Sequence, residues 1–453
     1  MADETQNALI QRPGTGLVGT GPHTSPVIAR MTQDVLARAQ ASGVSLARFR
    51  IGEYLLREPD YRQILRWAES LGMRSEALLA RVAPGWLWLS WQGFKPFEFT
   101  IEDGAIVSLL WNFDQLPLNP APWEPGLRVR ALGLGCLKRW PGGDTPLRPV
   151  LPLLQTLICR DIGLASLDLS KVPGLTNLNC GGNPLTKLDL TPVPGLTKLN
   201  CEANDLTELD LSPVPGLTEL YCSDNQLDWL DLSPVPGLTK LGCGENDQLI
   251  GLYLTPVPRL TDLNCVNNRL VELDLSPVPG LAKLNCSGCE LTDLDLLPVP
   301  GLTELNCYNN QLTDLDLSPV PGLTRLDCGG NRQLTQLDLS PVPGLAKLNC
   351  GGNRQLTQLD LSPVPGLTEL DCTGCGLTDL DLSPVPGLTR LDCGGNRLTA
   401  LDLSPVPVLS RHDCRHNLLA ELDLSPVPAL TDLWCDENTQ VLNAPANLSI
   451  HRQ

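Results

Sequence analysis

Residues 196–206 read LTKLNCEANDL and residues 207–216 continue TELDLSPVPG; this 21-residue phrase recurs from about Leu154 to Leu433. Its cysteines mark the period. Cys159, Cys180, Cys201, Cys222, Cys243, Cys265, Cys286, Cys307, Cys328, Cys350, Cys372, Cys393, Cys414 and Cys435 follow one another at 21 residues, with three gaps of 22. Each phrase has two halves, LTxLxCxxNx and LTxLDLSPVPG. In both, alternation of Leu with Leu or Cys puts apolar side chains on one face of a short extended segment. A fixed period of this length means a solenoid, in which each repeat buries its apolar edge against its neighbours.

The polar constants of the phrase carry their own expectations. Asn183, Asn204, Asn225, Asn246, Asn268, Asn310, Asn331, Asn353, Asn396, Asn417 and Asn438 are expected to form a buried ladder, their amides bonding backbone groups where the chain leaves the strand. In two repeats the slot holds Cys289 or Cys375, giving CSGC and CTGC. Zinc or redox chemistry is one reading of a CxxC pair. The pairs lie four coils apart, roughly 19 Å at a strand spacing of ~4.8 Å, so they cannot share one ion. A thiol standing in for Asn is favoured. The PVP tripeptide is expected to stay extended without ladder partners, its Val pointing inward. The three longer repeats insert a residue just after Asn, at 246–249, 331–334 and 353–356.

These residues resemble the leucine-rich repeat, LxxLxLxxNxL, with Cys in the third apolar slot. More narrowly they resemble the nested bacterial 21-residue class called IRREKO, whose LxxLxCxxNxLxxLDL is met residue by residue from Leu196 to Leu211. The resemblance implies a β-rich right-handed solenoid of about 14 coils, spanning 151–438. It implies one parallel sheet on the concave side, with a second strand or extended segment on the back of each coil. It also brings to mind bacterial effector ligases that carry such repeats beside a separate catalytic domain. Only 15 to 20 residues follow the last coil here, so no such domain is expected.

The flanks read differently. Residues 1–30 lack an apolar period and are expected to be disordered. Residues 31–83 are expected to form a small helical unit: Thr32 caps one helix, and Pro59 opens a second with Tyr61, Ile64, Leu65 and Trp67 on its apolar side. Ser75 begins a third. Within 84–150, Asp103-Gly104 between apolar-alternating runs signals a β-hairpin. Such a hairpin is expected to cap the open first coil, with Trp86, Trp88 and Trp91 in the seal. Residues 439–453 are expected to be a C-terminal cap or tail.

Charge is unevenly placed. Residues 1–150 hold 14 acidic and 16 basic side chains, leaving 37 acids against 17 bases and a net −20 for the array. That field disfavours nucleic acid and anionic membrane and favours a basic protein partner or simple solubility. No segment resembles a signal peptide or spans a membrane, and the periodic cysteines read as core residues. A cytoplasmic protein is the expectation. With no phosphate loop, GxSxG, HExxH or dinucleotide fingerprint, and only His23, His412, His416 and His451, an enzyme is not expected. Neither a cofactor nor a metal is expected.

Candidate contact residues lie where the phrase is free to vary. The outward position before each cysteine holds Asn200, Tyr221, Asn264, Asn285, Asn306, Asp327, Asn349, Asp371, Asp392 and Trp434. Two residues earlier stand Lys198, Lys240, Arg325, Arg390 and Arg411, in a row that also carries Asp262, Lys283, Glu304, Lys347 and Glu369. Both rows are expected to line the concave sheet. A solvated face of alternating charge weighs as heavily as a partner site. Tyr221, Trp229, Tyr253 and Tyr308 break the monotony, and such exceptions favour hot spots.

A second row runs Asp168, Asp189, Asp210, Asp231, Asp274, Asp295, Asp316, Asp338, Asp360, Asp381, Asp402 and Asp423, with Tyr253 in place of one. Stacked carboxylates are expected to repel one another and raise some pKa values. Local bonding to the SPVP turn is the favoured account, with calcium or a cationic protein as the alternatives. In LSRHDCRHNLL, His412 fills an inward Leu slot with Arg411, Arg415 and His416 beside it, a basic spot on an acidic array. The favoured function is a non-enzymatic protein-binding module. Two other classes compete: an acidic DNA mimic, and a regulatory or toxin-linked component whose helical unit contacts an enzyme.

Overall fold

The computed structural model describes residues 50–51, 54–55, 58–70, 97–102, 105–112, 129–135, 149 and 151–452. It is a parallel-strand solenoid of about 14 turns. The chain divides into two compact units, one of residues 1–206 with 212–217, the other of 207–211 with 218–453.

In the first unit, β1 (Arg50–Ile51) and β2 (Tyr54–Leu55) pair antiparallel and precede α1 (Glu58–Ser70). Pro59 sits in the first turn of α1, where its missing N–H costs nothing. Ile64, Trp67 and Ala68 are buried, spaced three and four apart on one helix face. Leu65, expected on that face, is 39% exposed because it lies one residue round from Ile64. The helices expected from Thr32 and Ser75 lie outside the described residues, as do Trp86, Trp88 and Trp91.

The hairpin signalled by Asp103-Gly104 is present. β3 (Phe97–Glu102) runs antiparallel to β4 (Ala105–Asn112), with a register shift between Thr100 and Ile101. From β4 the sheet continues in parallel through β5 (Ala131–Gly135), β6 (Thr156–Ile158), β7 (Asn177–Asn179) and β8 (Lys198–Asn200). The hairpin therefore belongs to the same sheet as the first repeats, with β4 standing where another coil's strand would be.

The second unit starts at β9 (Glu219–Tyr221), followed by β10 (Lys240–Gly242), β11 (Asp262–Asn264), β12 (Lys283–Asn285), β13 (Glu304–Asn306) and β14 (Arg325–Asp327). Then come β15 (Lys347–Asn349), β16 (Glu369–Asp371), β17 (Arg390–Asp392), β18 (Arg411–Asp413), β19 (Glu421–Asp423), β20 (Asp432–Cys435), β21 (Gln440–Leu442) and β22 (Ser449–Arg452). Neighbours pair in parallel without slippage, so Leu284 meets Leu305 and Asn285 meets Asn306. The middle Leu of each strand and the following Cys are fully or nearly fully buried. Among the described residues, strands on the second half of the phrase occur at one place, β19 beside β21. Elsewhere the LDL segments are extended without a ladder, because their Leu side chains point inward while their backbone makes few cross-coil bonds.

The asparagine ladder explains the period. Asn310 donates through Nδ2 to Cys286 O at 2.9 Å and Cys307 O at 3.0 Å, while its Oδ1 accepts from Leu291 N at 3.1 Å. One side chain thus bonds the turn of its own coil and that of the coil before, and Asn183, Asn204, Asn331 and Asn396 do the same. The residue before each Asn lies in the left-handed region, as Gly182 (φ 67), Ala203 (φ 51) or Gly330 (φ 71). That conformation favours glycine and asparagine, which accounts for the composition of the CxxN segment.

Cys289 and Cys375 replace the amide as thiols. Each donates to the preceding coil's carbonyl, Cys265 O or Cys350 O, both at 3.3 Å. The Cys289 sulfur also takes the N–H groups of Asn268 and Leu270. In the longer repeats the extra residue closes a turn of its own, with Leu249 N bonding Asn246 O at 2.8 Å. Where two such repeats follow each other, Leu334 N is taken by Asn331 O, and the buried Oδ1 of Asn353 has no partner.

The PVP connection differs from expectation. It makes two successive turns, Val193 N to Leu190 O at 3.0 Å and Leu196 N to Val193 O at 3.1 Å, and the second recurs as Leu217 N to Val214 O at 3.1 Å. Pro215 presets φ at the second position of the latter turn. Val193, Val214, Val235 and their counterparts point inward as expected and are fully buried.

The last coil also departs. Asn438 is exposed and outside the ladder, while Thr439 is buried and donates to Leu419 O at 3.2 Å. Arg452 of β22 supplies the missing donors, with Nη1 reaching Asp436 O, Glu437 O and Thr439 O. The segment expected as a cap or tail thus contributes a strand, β22 on β20.

The ladder predicts an ordered cost. Asn310→Ala leaves three buried backbone groups unpaired and is expected to lower stability by about 3 kcal/mol in urea unfolding. Asn310→Cys should lose distinctly less, because the thiol recovers part of the pattern seen at Cys289.

Candidate functional site

In the second unit the outward residues of β9 to β17 line one groove of about 650 Å³. Strand alternation places them there: the middle Leu points in, so the residues on either side point out. Of the expected contact residues, Tyr221, Lys240, Asn264, Asn285, Asn306, Arg325, Asp327, Asn349, Asp371, Arg390 and Asp392 share this groove. Lys198 and Asn200 belong to β8 of the first unit, and Arg411 and Trp434 do not line it. Asp262, Lys283, Glu304, Lys347 and Glu369 line it as well. Their row was expected to line the concave sheet, and their register, two residues before the strand's last position, puts them on the same walls as the contact candidates.

The two rows do different work. The row nearest the cysteine spends one oxygen on its own turn. Asn285 Oδ1 accepts from Ser287 N at 3.1 Å, Asn306 from Tyr308 N at 3.0 Å, Asn349 from Gly351 N at 2.9 Å and Asp371 from Thr373 N at 3.0 Å. These residues are structural on one side and available on the other. The neighbouring row is laced by ion pairs: Lys283 to Glu304 at 2.8 Å, Arg325 to Glu304 at 3.3 Å and Lys347 to Glu369 at 2.6 Å. Each is about half exposed, so each adds well under about 1 kcal/mol. Lys283, with Arg325 behind it, holds Glu304 below the usual carboxylate range. Asp327 is the exception. Burial pushes its carboxyl up, against bonds from Gly329 N and the Asn349 amide.

Along the second-half Asp row the favoured bonding to the following turn is present, and the expected rise in pKa is corrected in sign. Each carboxylate accepts from the turn that follows it, as in Ser318 N to Asp316 at 2.8 Å and Ser362 N to Asp360 at 2.9 Å. Hydrogen bonds from Ser276, Ser318, Ser340, Ser362 and Ser383 hold Asp274, Asp316, Asp338, Asp360 and Asp381 below their ordinary values. Repulsion along the row is present but smaller, because exposure screens charges a coil apart while the turn bonds act at contact. Among the described residues no group of three His, Cys, Asp or Glu stands where it could hold a metal ion.

The periodic cysteines that follow the strands are unlike catalytic thiols, whereas hydrogen bonds from Cys265 and Cys350 hold Cys289 and Cys375, in the Asn ladder, below the ordinary thiol value. The Cys180, Cys243 and Cys307 thiols are pushed up to about 12 by burial. They are held as neutral core atoms, the opposite of an activated nucleophile.

The C-terminal basic spot is largely neutralised. Arg415 pairs with Asp413 at 2.6 Å, and His416 sits 3.9 Å from Asp436 in the left-handed turn position. Arg411 lies over the Trp434 ring at 5.3 Å, and Trp434 stacks on His451 at 4.7 Å. His412 fills the Leu slot as expected. Its Nδ1 lies 3.1 Å from Leu391 O, its Nε2 has no partner, and burial lowers its pKa. Among the described residues no helix is long and apolar enough to cross a membrane.

Comparison with known proteins follows the same lines. Residues 279–321 and 300–341 match the family described as Leucine Rich repeats (2 copies). The functional domain of InlJ from Listeria monocytogenes, which includes a cysteine ladder, is 37% identical. The match covers 63% of this chain and 68% of that one, with a TM-score of 0.55. YopM from Yersinia enterocolitica matches at 25% identity over 72% of this chain and 82% of its own, TM-score 0.51. An internalin, InlF, from Listeria monocytogenes shares the fold at 21% identity, covering 64% and 84%, TM-score 0.50. No curated protein matches the chain.

Two titrations follow from this geometry. By carboxyl-carbon NMR, Asp360 should titrate below the ordinary aspartate value and Asp327 above it. Ser362→Ala should move Asp360 upward and leave Asp327 unchanged. The second concerns His412, neutral when folded and depressed by burial. The unfolded chain takes up that proton below about pH 6.5, so stability is full above it and falls as the pH drops. His412→Leu should raise stability by about 1–2 kcal/mol at neutral pH and flatten the decline between pH 7.5 and 5 in urea melts.

Proposed function

The chain belongs to the leucine-rich-repeat family, and on that footing we propose that it is a non-enzymatic protein-binding module. The groove from Tyr221 to Asp392 is its recognition surface. The narrower likeness to the bacterial IRREKO-type class is part of the same proposal, supported by the 21-residue phrase with Cys in the third apolar slot. The observation that carries it is the groove itself. Its walls are made of the positions that the repeat leaves free to vary, set in register on a rigid sheet.

The chemistry of the walls supports a basic partner. Toward its C-terminal end the groove presents Asp327, Asp371 and Asp392, and Asp327 is a carboxylate whose charge is incompletely solvated. A partner cation placed there replaces lost hydration and fixes docking register. Charges of both signs line the rest. This suits a protein surface of mixed charge better than the uniform phosphate pattern that an acidic DNA mimic presents.

A photoreactive amino acid at Asn306 is expected to cross-link one discrete partner, while the same group at Asp379, outside the groove, should not. Changing Asp327, Asp371 and Asp392 together to Asn, which keeps the oxygen that accepts from the turn and removes the charge, should weaken that adduct strongly with little change in the melt. Equal adducts from both positions would contradict the groove. Loss of capture by residues 84–453 compared with the whole chain would place the specificity in the helical unit instead.

A further inference from the structure

Three consecutive coils of the second unit break the second-half pattern. Trp229, Ile250, Tyr253 and Val271 are 59, 69, 69 and 57% exposed, at positions where other coils carry Thr, Asp or another polar residue. None of the four lines the groove. Tyr253 replaces the Asp whose oxygen accepts from the following turn in its neighbours, as Asp231 does from Ser233 N and Asp274 from Ser276 N. The coil therefore gives up a turn bond and exposes an aromatic ring to water. Neither change stabilises the fold. Gly251 lies under that ring, 3.7 Å from it at the point where a Cβ would stand, so the ring rests on bare backbone.

The Trp229 and Tyr253 rings stand 6.5 Å apart and tilted by 54°, forming two walls of an open notch. Four exposed carboxylates belong to the coils on either side of Tyr253, Asp228 and Asp231 in the coil before, Glu272 and Asp274 in the coil after. Aromatic faces bounded by carboxylates attract a cation that is planar, weakly hydrated and able to bond a carboxylate sideways. Guanidinium meets those terms better than ammonium. The same unit already seats a guanidinium on an indole, Arg411 over Trp434.

We propose that the Trp229–Tyr253 notch is a second docking surface, separate from the groove, for an arginine-bearing basic segment of a protein partner. The ring faces take the guanidinium and the four carboxylates supply charge complementarity. Ile250 and Val271 take the apolar stem of the side chain or of its neighbour.

The probe is a fluorescein-labelled peptide of four arginines spaced by Gly-Ser, with a citrulline version as the neutral isostere, titrated by anisotropy against the full chain at constant ionic strength. Saturable binding of the arginine peptide alone is expected. Trp229→Ala and Tyr253→Asp should each weaken it about tenfold, and Tyr253→Phe should retain it. Tyr253→Asp restores the residue of the neighbouring coils and adds negative charge, so a purely electrostatic attraction predicts equal or tighter binding. That result, or the absence of saturable binding, overturns the proposal. Asp371→Lys should leave the notch affinity unchanged; a loss there with none at Trp229 would assign the peptide to the groove, against the notch.

Discussion

Every coil of this array must leave its strand through an interior turn, and the backbone groups at that turn have no water to bond. The Asn side chain meets the requirement by reaching two carbonyls at once, its own coil's and its predecessor's, as Asn310 does with Cys307 and Cys286. Because the bond is shared, each coil is completed only by its neighbour. The 21-residue spacing follows, since a shifted Asn would meet neither carbonyl. Longer coils survive only by closing an extra turn, and two in a row leave the Asn353 oxygen unpaired. At the end of the array, where no further Asn arrives, Arg452 takes over the carbonyls.

That constraint decides what remains for recognition. The Leu, Val and Cys of the phrase are buried, and the Asp and Asn of the outward rows each bond a turn. Much of the acidity of the array is thus part of its turn chemistry. What the fold does not use is narrower: the mixed-charge row of the groove, the second oxygen or amide beside it, and the coils whose spelling departs. Trp229 and Tyr253 belong to the last group, and they sit outside the groove.

Much of this was readable from the residues. The period named the solenoid, Asp103-Gly104 named the hairpin, and the spacing of Cys289 and Cys375 four coils apart argued for thiols in the Asn ladder. Other features depend on three-dimensional balance. Charge stacking along the Asp row and bonding of that row to the SPVP turn were both visible, whereas which of the two outweighs the other depends on turn geometry. Two prolines around a valine suggested an extended link, but the chain must reverse between coils and turns twice. Asn438 matched the ladder's spacing, yet the coil that follows it lacks the phrase, so Thr439 and Arg452 serve instead. Arg415 looked like free basic charge because its bond to Asp413 joins residues on one strand edge. The periodic cysteines do not report a cellular compartment, since they are buried as apolar core atoms whatever the redox environment outside.

The central claim is that shared Asn bonds hold the coils together. Native-state hydrogen exchange tests it directly at the amides of Leu291, Leu312 and Leu398, each bonded to the Asn oxygen of the next coil. The account predicts that these amides exchange only with the unfolding of the array, as slowly as the strand amides beside them. Exchange at the rate of exposed turn amides would contradict it.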